Sequence, residues 1–395
     1  MTPVPRLRAY AGPALLTYGF RPFFLFGALY AGLTVLAWLP MFYGELEVST
    51  AFAPVDWHVH ELLYGFLPAI VAGFLLTAIP NWTGRLPIQG MPLLVLFAVW
   101  LAGRVCVTLS AQIGWLAAAV VDAGFIALLI AAATREIVAG KNWRNLRVIG
   151  MVTLLLVGNI AFHAEAHLRG HAEYGTRIGI AAIVLLLALI GGRIIPSFTR
   201  NWLARENPGR LPAPFGRFDG AAIALSAVAL ALWIALPSGR LTALALLVAA
   251  VLNIVRLARW AGDRTGRDRL VLILHVGYGF VPLGFLLAGL GALDMIVASA
   301  AIHAWMVGAA GTLTLAVMTR ASLGHTGNAL VASPATQAIY AAIVIAALAR
   351  ISSSLQPGWS EWTLHIAAFA WAAAYLGFAA AYGPLLIRAK PGTSP

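Results

Sequence analysis

Long apolar runs separated by short polar stretches recur along the whole chain. A transmembrane helix needs about 20 mainly apolar residues to cross the hydrocarbon core of a bilayer, and the sequence contains twelve runs of this kind. They predict spanning helices at residues 20–43, 57–80, 91–110, 113–134, 146–168, 176–198, 219–237, 240–260, 269–290, 294–318, 334–355 and 361–387. The predicted fold is an all-α, polytopic membrane helix bundle of these helices, forming a single integral membrane domain over residues 1–395.

The composition excludes a soluble protein. Hydrophobic residues make up 61% of the 395 residues and charged residues only 10%, whereas soluble domains are about 45–50% apolar and about 25% charged. A helix surrounded by lipid can be apolar on every side. The first apolar run is longer than the hydrophobic region of a signal peptide, so it predicts the first spanning helix.

The positive charge indicates a membrane orientation rather than a nucleic-acid partner. The net charge is +12, but Lys and Arg lie in short loops between apolar runs and form no basic face. With a cytoplasmic N-terminus, 20 of these residues fall on the inner side and 5 on the outer side, as the positive-inside rule requires. Arg104 counts as outer in this tally and Arg256 as inner. Both termini are therefore predicted to be cytoplasmic.

Parts of the sequence resemble one another. The sequence YGFRP (18–22) opens predicted helix 1, and the similar sequence YGFVP (278–282) lies in predicted helix 9. The next helix in each case, helix 2 or helix 10, ends in a Thr/Arg/Gly-rich stretch, at 77–85 and 312–327 respectively. Predicted helix 6 ends similarly at 191–202. This pattern fits three pseudo-related groups of four helices. The alternative is that Gly and Pro are simply common in membrane helices.

Histidines are the candidate metal ligands of this chain. The single cysteine, Cys106, excludes a disulfide framework and cysteine-rich metal sites, so nitrogen or oxygen atoms must hold any metal. Neutral imidazole suits copper, iron and zinc, and ionisable residues in membrane spans are functional candidates by default. The candidate metal ligands are His58, His60, His163, His275, His303 and His325.

The positions of these histidines predict two sites. His58 and His60 lie at the outer start of predicted helix 2 and His163 near the outer end of helix 5, where they could share one metal. His275 and His303 lie in the middle to inner part of helices 9 and 10, where either could be an axial ligand of haem. The alternatives are interfacial or hydrogen-bonded histidines and, for His303, a proton path.

Three arginines near the inner helix ends are candidate partners of a cofactor. Arg21, Arg193 and Arg320 could pair with carboxylates such as haem propionates. The positive-inside rule alone accounts for Arg320. It does not account for Arg193, which lies inside predicted helix 6 and needs a partner.

Six segments together resemble the NnrS family of bacterial membrane proteins. They are GFRPFF (19–24), WHVHE (57–61), GFLLTAIPNWTGR (73–85), GRIIPSFTRN (192–201), LHVGY (274–278) and the long run that begins HAW and ends LGHTG (303–327). The resemblance covers nearly the whole chain. The sequence departs from the family pattern at Ser197, where an aromatic residue is expected, and at Asn328, where a basic residue is expected. Neither is a candidate ligand.

The resemblance implies a twelve-helix protein of the bacterial inner membrane that contains haem b and copper. Such proteins belong to denitrifying or host-associated bacteria and limit nitrosative stress. The implied function is to act on nitric oxide or its metal-nitrosyl adducts, with nitric-oxide reduction as one activity. The expected partners are nitric oxide, membrane lipid and quinol or another electron donor, with no nucleic acid. Two alternatives are a transporter of haem, metal or a small molecule and a non-catalytic protein that binds or senses nitric oxide.

Overall fold

The computed structural model describes Tyr10 and residues 12–389, and this part of the chain is helical with no strand. Twelve helices are long and apolar enough to span a membrane, which confirms the predicted all-α membrane fold. In chain order, α1 to α12 are Phe20–Phe42, Pro54–Thr83, Met91–Thr108, Trp115–Ala139, Trp143–Arg169, Tyr174–Glu206, Arg217–Ala235, Arg240–Ala258, Arg269–Gly291, Ser299–Thr326, Pro334–Leu355 and Pro357–Ile387. Of the basic residues counted above, Arg6, Arg8 and Lys390 lie outside the described residues.

Helices α6 and α10 differ most from the predicted bounds. Helix α6 continues beyond residue 198 to Glu206, because helical hydrogen bonding does not stop where the apolar run enters the interface. Helix α10 begins at Ser299 rather than at residue 294 and ends at Thr326. Asp294 has a positive φ of 58°, a left-handed conformation that a helix cannot contain. Hydropathy therefore located the spans but not the helix ends.

The chain divides into two compact units. Unit 1 comprises Met1–Gly179, Met318–Ala329 and Tyr375–Pro395, and unit 2 comprises Ile180–Val317 and Leu330–Ala374. Helices α1 to α5 thus belong entirely to unit 1, and α7, α8, α9 and α11 entirely to unit 2. Helices α6, α10 and α12 contribute residues to both. The predicted arrangement in three groups of four helices stays a prediction.

Helices α2 and α10 share a feature that the sequence comparison did not reveal. Each contains a π-helical segment, Glu61–Phe66 in α2 and Ala304–Gly311 in α10, and each segment begins directly after a histidine. A π-helical segment inserts an extra residue into the helical turn and occurs often at functional sites. The shared position adds to the resemblance between these two helices.

Several residues of the family-like segments hold unit 1 together. The Thr77 hydroxyl of α2 accepts a hydrogen bond of 3.2 Å from the Phe20 backbone at the start of α1. The buried Arg21 donates through Nη1 to the backbone oxygens of Leu386 and Arg388, each at 2.8 Å. The last carbonyls of a helix lack intrahelical donors, so the guanidinium caps the end of α12.

Unit 2 contains a buried cluster around Arg256 of α8. The guanidinium donates to Asp219 of α7 at 3.1 Å, to the Ala188 carbonyl at 2.9 Å and to the Tyr278 hydroxyl at 2.7 Å. The Tyr278 hydroxyl in turn donates to Asn253 at 2.9 Å. Arg256 thus links four helices of this unit, and Asn253 bonds to side chains of two neighbouring helices. The tally that placed Arg256 among the loop charges is wrong, because its side chain is completely buried.

Gly192 leaves the space that this guanidinium occupies. A Cβ atom on Gly192 would overlap Nη2 of Arg256 and come within 2.7 Å of its Cζ. We expect Gly192→Ala to lower the free energy of unfolding by about 1–3 kcal/mol, the range for overpacking a dense interior. Denaturant titration in detergent micelles, followed by circular dichroism, measures the change.

The matched control is Gly220→Ala in α7, also in unit 2. A Cβ atom on Gly220 meets nothing within 4 Å, and alanine is a better helix former than glycine by about 1 kcal/mol. This control is expected to be neutral or slightly stabilising. Equal stability of the two variants would contradict the packing of Arg256 against Gly192.

Candidate metal centre

Four consecutive helices of unit 1 bring polar side chains to one depth. Arg104 lies four residues before the end of α3 and His163 six before the end of α5, whereas His60 and Asp122 lie six and seven residues after the starts of α2 and α4. At about 1.5 Å per residue, all four lie roughly 6–11 Å from the helix ends. Consecutive helices run in opposite directions, so these ends lie on the same side of the membrane.

Three possible metal-ligand atoms meet at the centre of this layer. His60 Nε2, His163 Nε2 and Asp122 Oδ2 are separated by 3.2, 3.0 and 3.1 Å. The three residues are buried, at 0%, 2% and 1% exposed. In a tetrahedral site with metal–nitrogen bonds of about 2.0 Å, ligand atoms are about 3.3 Å apart. The spacing of the three atoms fits a metal ion bound to all of them.

Glu61 determines which nitrogen of His60 is available. His60 Nδ1 lies 2.9 Å from Glu61 Oε1, and Glu61 also accepts a hydrogen bond of 2.7 Å from Arg104. A carboxylate paired with a guanidinium only accepts, so His60 donates through Nδ1 and Nε2 carries the lone pair. A histidine that binds metal through one nitrogen commonly donates the other N–H to a carboxylate.

The atoms around His60 Nε2 are mainly acceptors. Asn159 donates through its amide nitrogen to Asp122 Oδ2 at 2.8 Å, so its Oδ1 faces His60 Nε2 at 3.3 Å. Asp122 Oδ2 and Asn159 Oδ1 cannot donate to the imidazole lone pair; among these neighbours only His163 can supply a proton. A buried group of facing lone pairs is unfavourable unless a cation lies among them.

Arg104 connects the two carboxylates of the cluster. Its guanidinium donates to Glu61 through Nη1 and to Asp122 through Nη2, while the Tyr30 hydroxyl donates to Glu61. Gly65 permits this position, since a Cβ atom there would overlap the Arg104 guanidinium. The charge of Arg104 offsets part of the negative charge that Glu61 and Asp122 bring into the membrane.

The sequence reasoning missed two members of this cluster. Asp122 is the one acidic residue in the apolar run of predicted helix 4, and its isolation there was the available signal. The prediction of Arg104 as an outer loop charge is wrong, because the structure buries it inside α3. A guanidinium four residues from a helix end resembles a loop charge until its carboxylate partners on α2 and α4 are known.

The structure places two other predicted metal ligands of unit 1 outside the His60–Asp122–His163 group. His58 stacks on the ring of Trp38, with centroids 4.1 Å apart. His325 lies against the rings of Phe20 and Tyr18, at 5.4 and 5.8 Å. Ligand roles for these two residues stay predictions, and Asp122 takes the position beside His60 and His163 that was expected for His58.

His275 and His303 both belong to unit 2. His275 Nε2 lies 2.8 Å from the Thr199 hydroxyl, which also bonds the Ile195 carbonyl at 2.8 Å. If the hydroxyl proton goes to that carbonyl, Nε2 donates and Nδ1 carries the lone pair; this atom is buried without a hydrogen-bond partner among the described residues. His303 Nδ1 donates to the Ser299 carbonyl at 2.6 Å, which leaves its lone pair on Nε2.

The candidate cofactor arginines have different surroundings. Arg21 caps the end of α12, as described above, whereas Arg193 and Arg320 are half-buried in α6 and α10. The capping bonds of Arg21 explain its burial without a cofactor. Contacts of all three residues with haem propionates stay predictions.

Twelve membrane-spanning helices with a buried His–His–Asp cluster define a multi-pass membrane protein with a candidate metal centre. The family model described as NnrS protein matches residues 14–390 of the 395-residue chain. The chain therefore belongs to the NnrS family, and membership suggests a role in the response to nitric-oxide stress. No curated protein matches the chain.

Proposed function

We propose that this protein binds a metal ion through His60, His163 and Asp122 and uses it to bind nitric oxide in the bacterial inner membrane, thereby relieving nitrosative stress. The observation that carries the proposal is the buried convergence of two imidazole nitrogens and a carboxylate oxygen within 3.2 Å of one another. A bound cation would satisfy the lone pairs of all three atoms at once.

The donor set favours a transition metal. Imidazole suits copper, iron and zinc, and two histidines with one carboxylate also form the common site of non-haem iron. Copper, which the family resemblance implies, therefore fits these residues. Reduced copper and iron both bind nitric oxide directly. Within the protein, Glu61 orients His60, Asn159 orients Asp122, and Arg104 balances the charge of both carboxylates.

Haem b is the second cofactor of the proposal, with His275 or His303 as its axial ligand. Each histidine has one ring nitrogen hydrogen-bonded to the protein, Nε2 to Thr199 in His275 and Nδ1 to Ser299 in His303. Such a bond orients the ring, as the outer-shell partners of metal-bound histidines do.

The test is metal and haem content followed by turnover. The protein purified in detergent is analysed for copper, iron and zinc and for a Soret absorption band, and is then given nitric oxide with an excess of a quinol. Consumption beyond one equivalent per metal supports catalysis with quinol as electron donor. Uptake that stops at one equivalent supports a binding or sensing protein. Absence of both bound metal and haem would contradict the proposal and favour a transporter.

Glu61→Gln is expected to weaken metal binding about 10- to 100-fold, the usual effect of changing an outer-shell partner of a histidine ligand. The amide keeps the size of the side chain but loses the charge that holds the His60 proton and Arg104. Competition with a chromophoric chelator measures the dissociation constant.

Glu173→Gln is the matched control. Glu173 is more than half exposed and pairs with Arg177 at 3.5 Å, away from the cluster. It should bind metal like the wild type. An unchanged affinity in Glu61→Gln as well would exclude Glu61 as the residue that orients His60.

A further inference from the structure

Phe52 lies over the His60–His163 pair although it belongs to a loop. The loop joins α1 to α2, and in it the Phe52 side chain is only 9% exposed. Its ring centroid lies 5.1 Å from that of His60 and 5.4 Å from that of His163. A single loop residue thus contacts both imidazoles of the candidate metal centre.

Hydrogen bonds to the segment that follows α3 fix this loop. The Ala51 backbone donates to the Ser110 hydroxyl at 2.8 Å, and the Ala111 backbone donates to the Ser49 carbonyl at 3.0 Å. Ser110 is itself buried and donates to the Val107 carbonyl at 2.8 Å. These bonds hold the backbone directly before Phe52, so the position of the ring is determined by the fold.

Two further aromatic rings extend the cover. Phe162 lies 5.2 Å from His60 and 5.5 Å from Phe52, and Tyr64 lies 5.6 Å from His60. The Tyr64 hydroxyl donates to the Gly175 carbonyl at 2.5 Å, so it is committed to α6 rather than to the centre. Phe52, Phe162 and Tyr64 together form what we call the aromatic cover of the two imidazoles.

This cover distinguishes ligands by charge. An anion bound at the metal beneath these apolar rings loses its hydration, and the rings offer no hydrogen bonds in return. The polar neighbours Glu61, Asn159 and Asp122 are hydrogen-bonded to other members of the cluster. Both carboxylates also repel an anion. A small uncharged molecule that dissolves in lipid meets neither penalty.

We propose that Phe52, supported by Phe162, is a selectivity gate that admits small uncharged ligands such as nitric oxide to the metal centre and excludes small anions such as azide and nitrite. This inference rests on the proposed metal site. It adds a ligand class and a residue that determines it.

Cobalt(II) provides a probe, because its visible absorption changes when an outside ligand binds. Wild type, Phe52→Ala and the control Phe369→Ala are loaded with cobalt(II) and titrated separately with nitric oxide and azide. Phe369 is a lipid-exposed phenylalanine of α12, 57% exposed. Wild type and control are expected to respond to nitric oxide and only weakly to azide, whereas Phe52→Ala binds azide at least about tenfold more tightly.

Ser110→Ala gives a second variant that keeps the ring and loosens the loop. It removes the acceptor of the Ala51 backbone N–H, and it should also increase azide affinity, by less than Phe52→Ala. The gate is contradicted if wild type binds azide as tightly as Phe52→Ala. It is also contradicted if both Phe52→Ala and Ser110→Ala fold, load cobalt and bind azide with the affinity of the wild type. A wild type that binds no cobalt at all contradicts the metal site itself, which separates the two failures.

Discussion

Asp122→Asn is expected to contain almost no metal, with affinity at least about 100-fold below that of the wild type, the upper end of the effects of outer-shell changes. The substitution keeps the size of the side chain but removes the charge of the one carboxylate that meets both His60 and His163. An amide oxygen is a weaker ligand than a carboxylate and does not balance the charge of a divalent ion. Elemental analysis of the purified variant measures metal per chain.

The informative comparison is His58→Ala. The sequence alone favours His58 as the third ligand beside His60 and His163, whereas the structure places Asp122 there and stacks His58 on Trp38. His58→Ala should therefore retain its metal. A His58→Ala variant without metal, together with full metal in Asp122→Asn, would reverse this assignment. Helix content by circular dichroism verifies that both variants fold.

Arg104→Met is expected to cause the largest loss of stability, about 3–5 kcal/mol, because removing one partner of a buried ion pair leaves uncompensated charge. Here two carboxylates, Glu61 and Asp122, lose their shared cation at once. Methionine fills much of the space of the aliphatic part of the arginine. The free energy of unfolding in detergent, measured by denaturant titration on metal-free protein, gives the effect without a contribution from metal binding.

Arg135→Met serves as the control for Arg104→Met. Arg135 is 68% exposed and pairs with Glu136 at 2.8 Å, and an exposed pair of this kind contributes about 0–1 kcal/mol.

The double variant Arg104→Met/Asp122→Asn should be more stable than the sum of the two single effects predicts, by about 0.5–3 kcal/mol, the usual coupling between contacting residues. Additive effects, or equal losses for Arg104 and Arg135, would contradict the buried network.

The internal repetition has gained structural support in one respect. Sequence comparison related helices α2 and α10 through their Thr/Arg/Gly-rich ends, and the structure adds a π-helical segment after a histidine in each, at His60 and His303. Each unit also contains a buried arginine that pairs with an aspartate on an adjacent helix and lies against a glycine, Arg104 in unit 1 and Arg256 in unit 2. A short sequence match could not predict either similarity.

The sequence by itself determined the number of spans, the helical class and the family. Each of these follows from local information: about 20 apolar residues suffice to cross a bilayer, and the family-like segments are contiguous. It also identified His60 and His163 as candidate ligands, since histidines are few and conspicuous in an apolar chain. Helix ends were less well predicted, because the backbone of α6 stays helical past the apolar run.

Only the tertiary structure decided which side chains share a site. Asp122, Arg104 and His163 belong to α4, α3 and α5, and hydropathy contains no information on how these helices rotate about their axes. Rotation decides whether a lone aspartate faces lipid or a neighbouring imidazole, and the high cost of an exposed charge in hydrocarbon makes the inward orientation the stable one. Likewise, Phe52, a loop residue in the sequence, belongs to the site because the backbone of its neighbour Ala51 is bonded to Ser110.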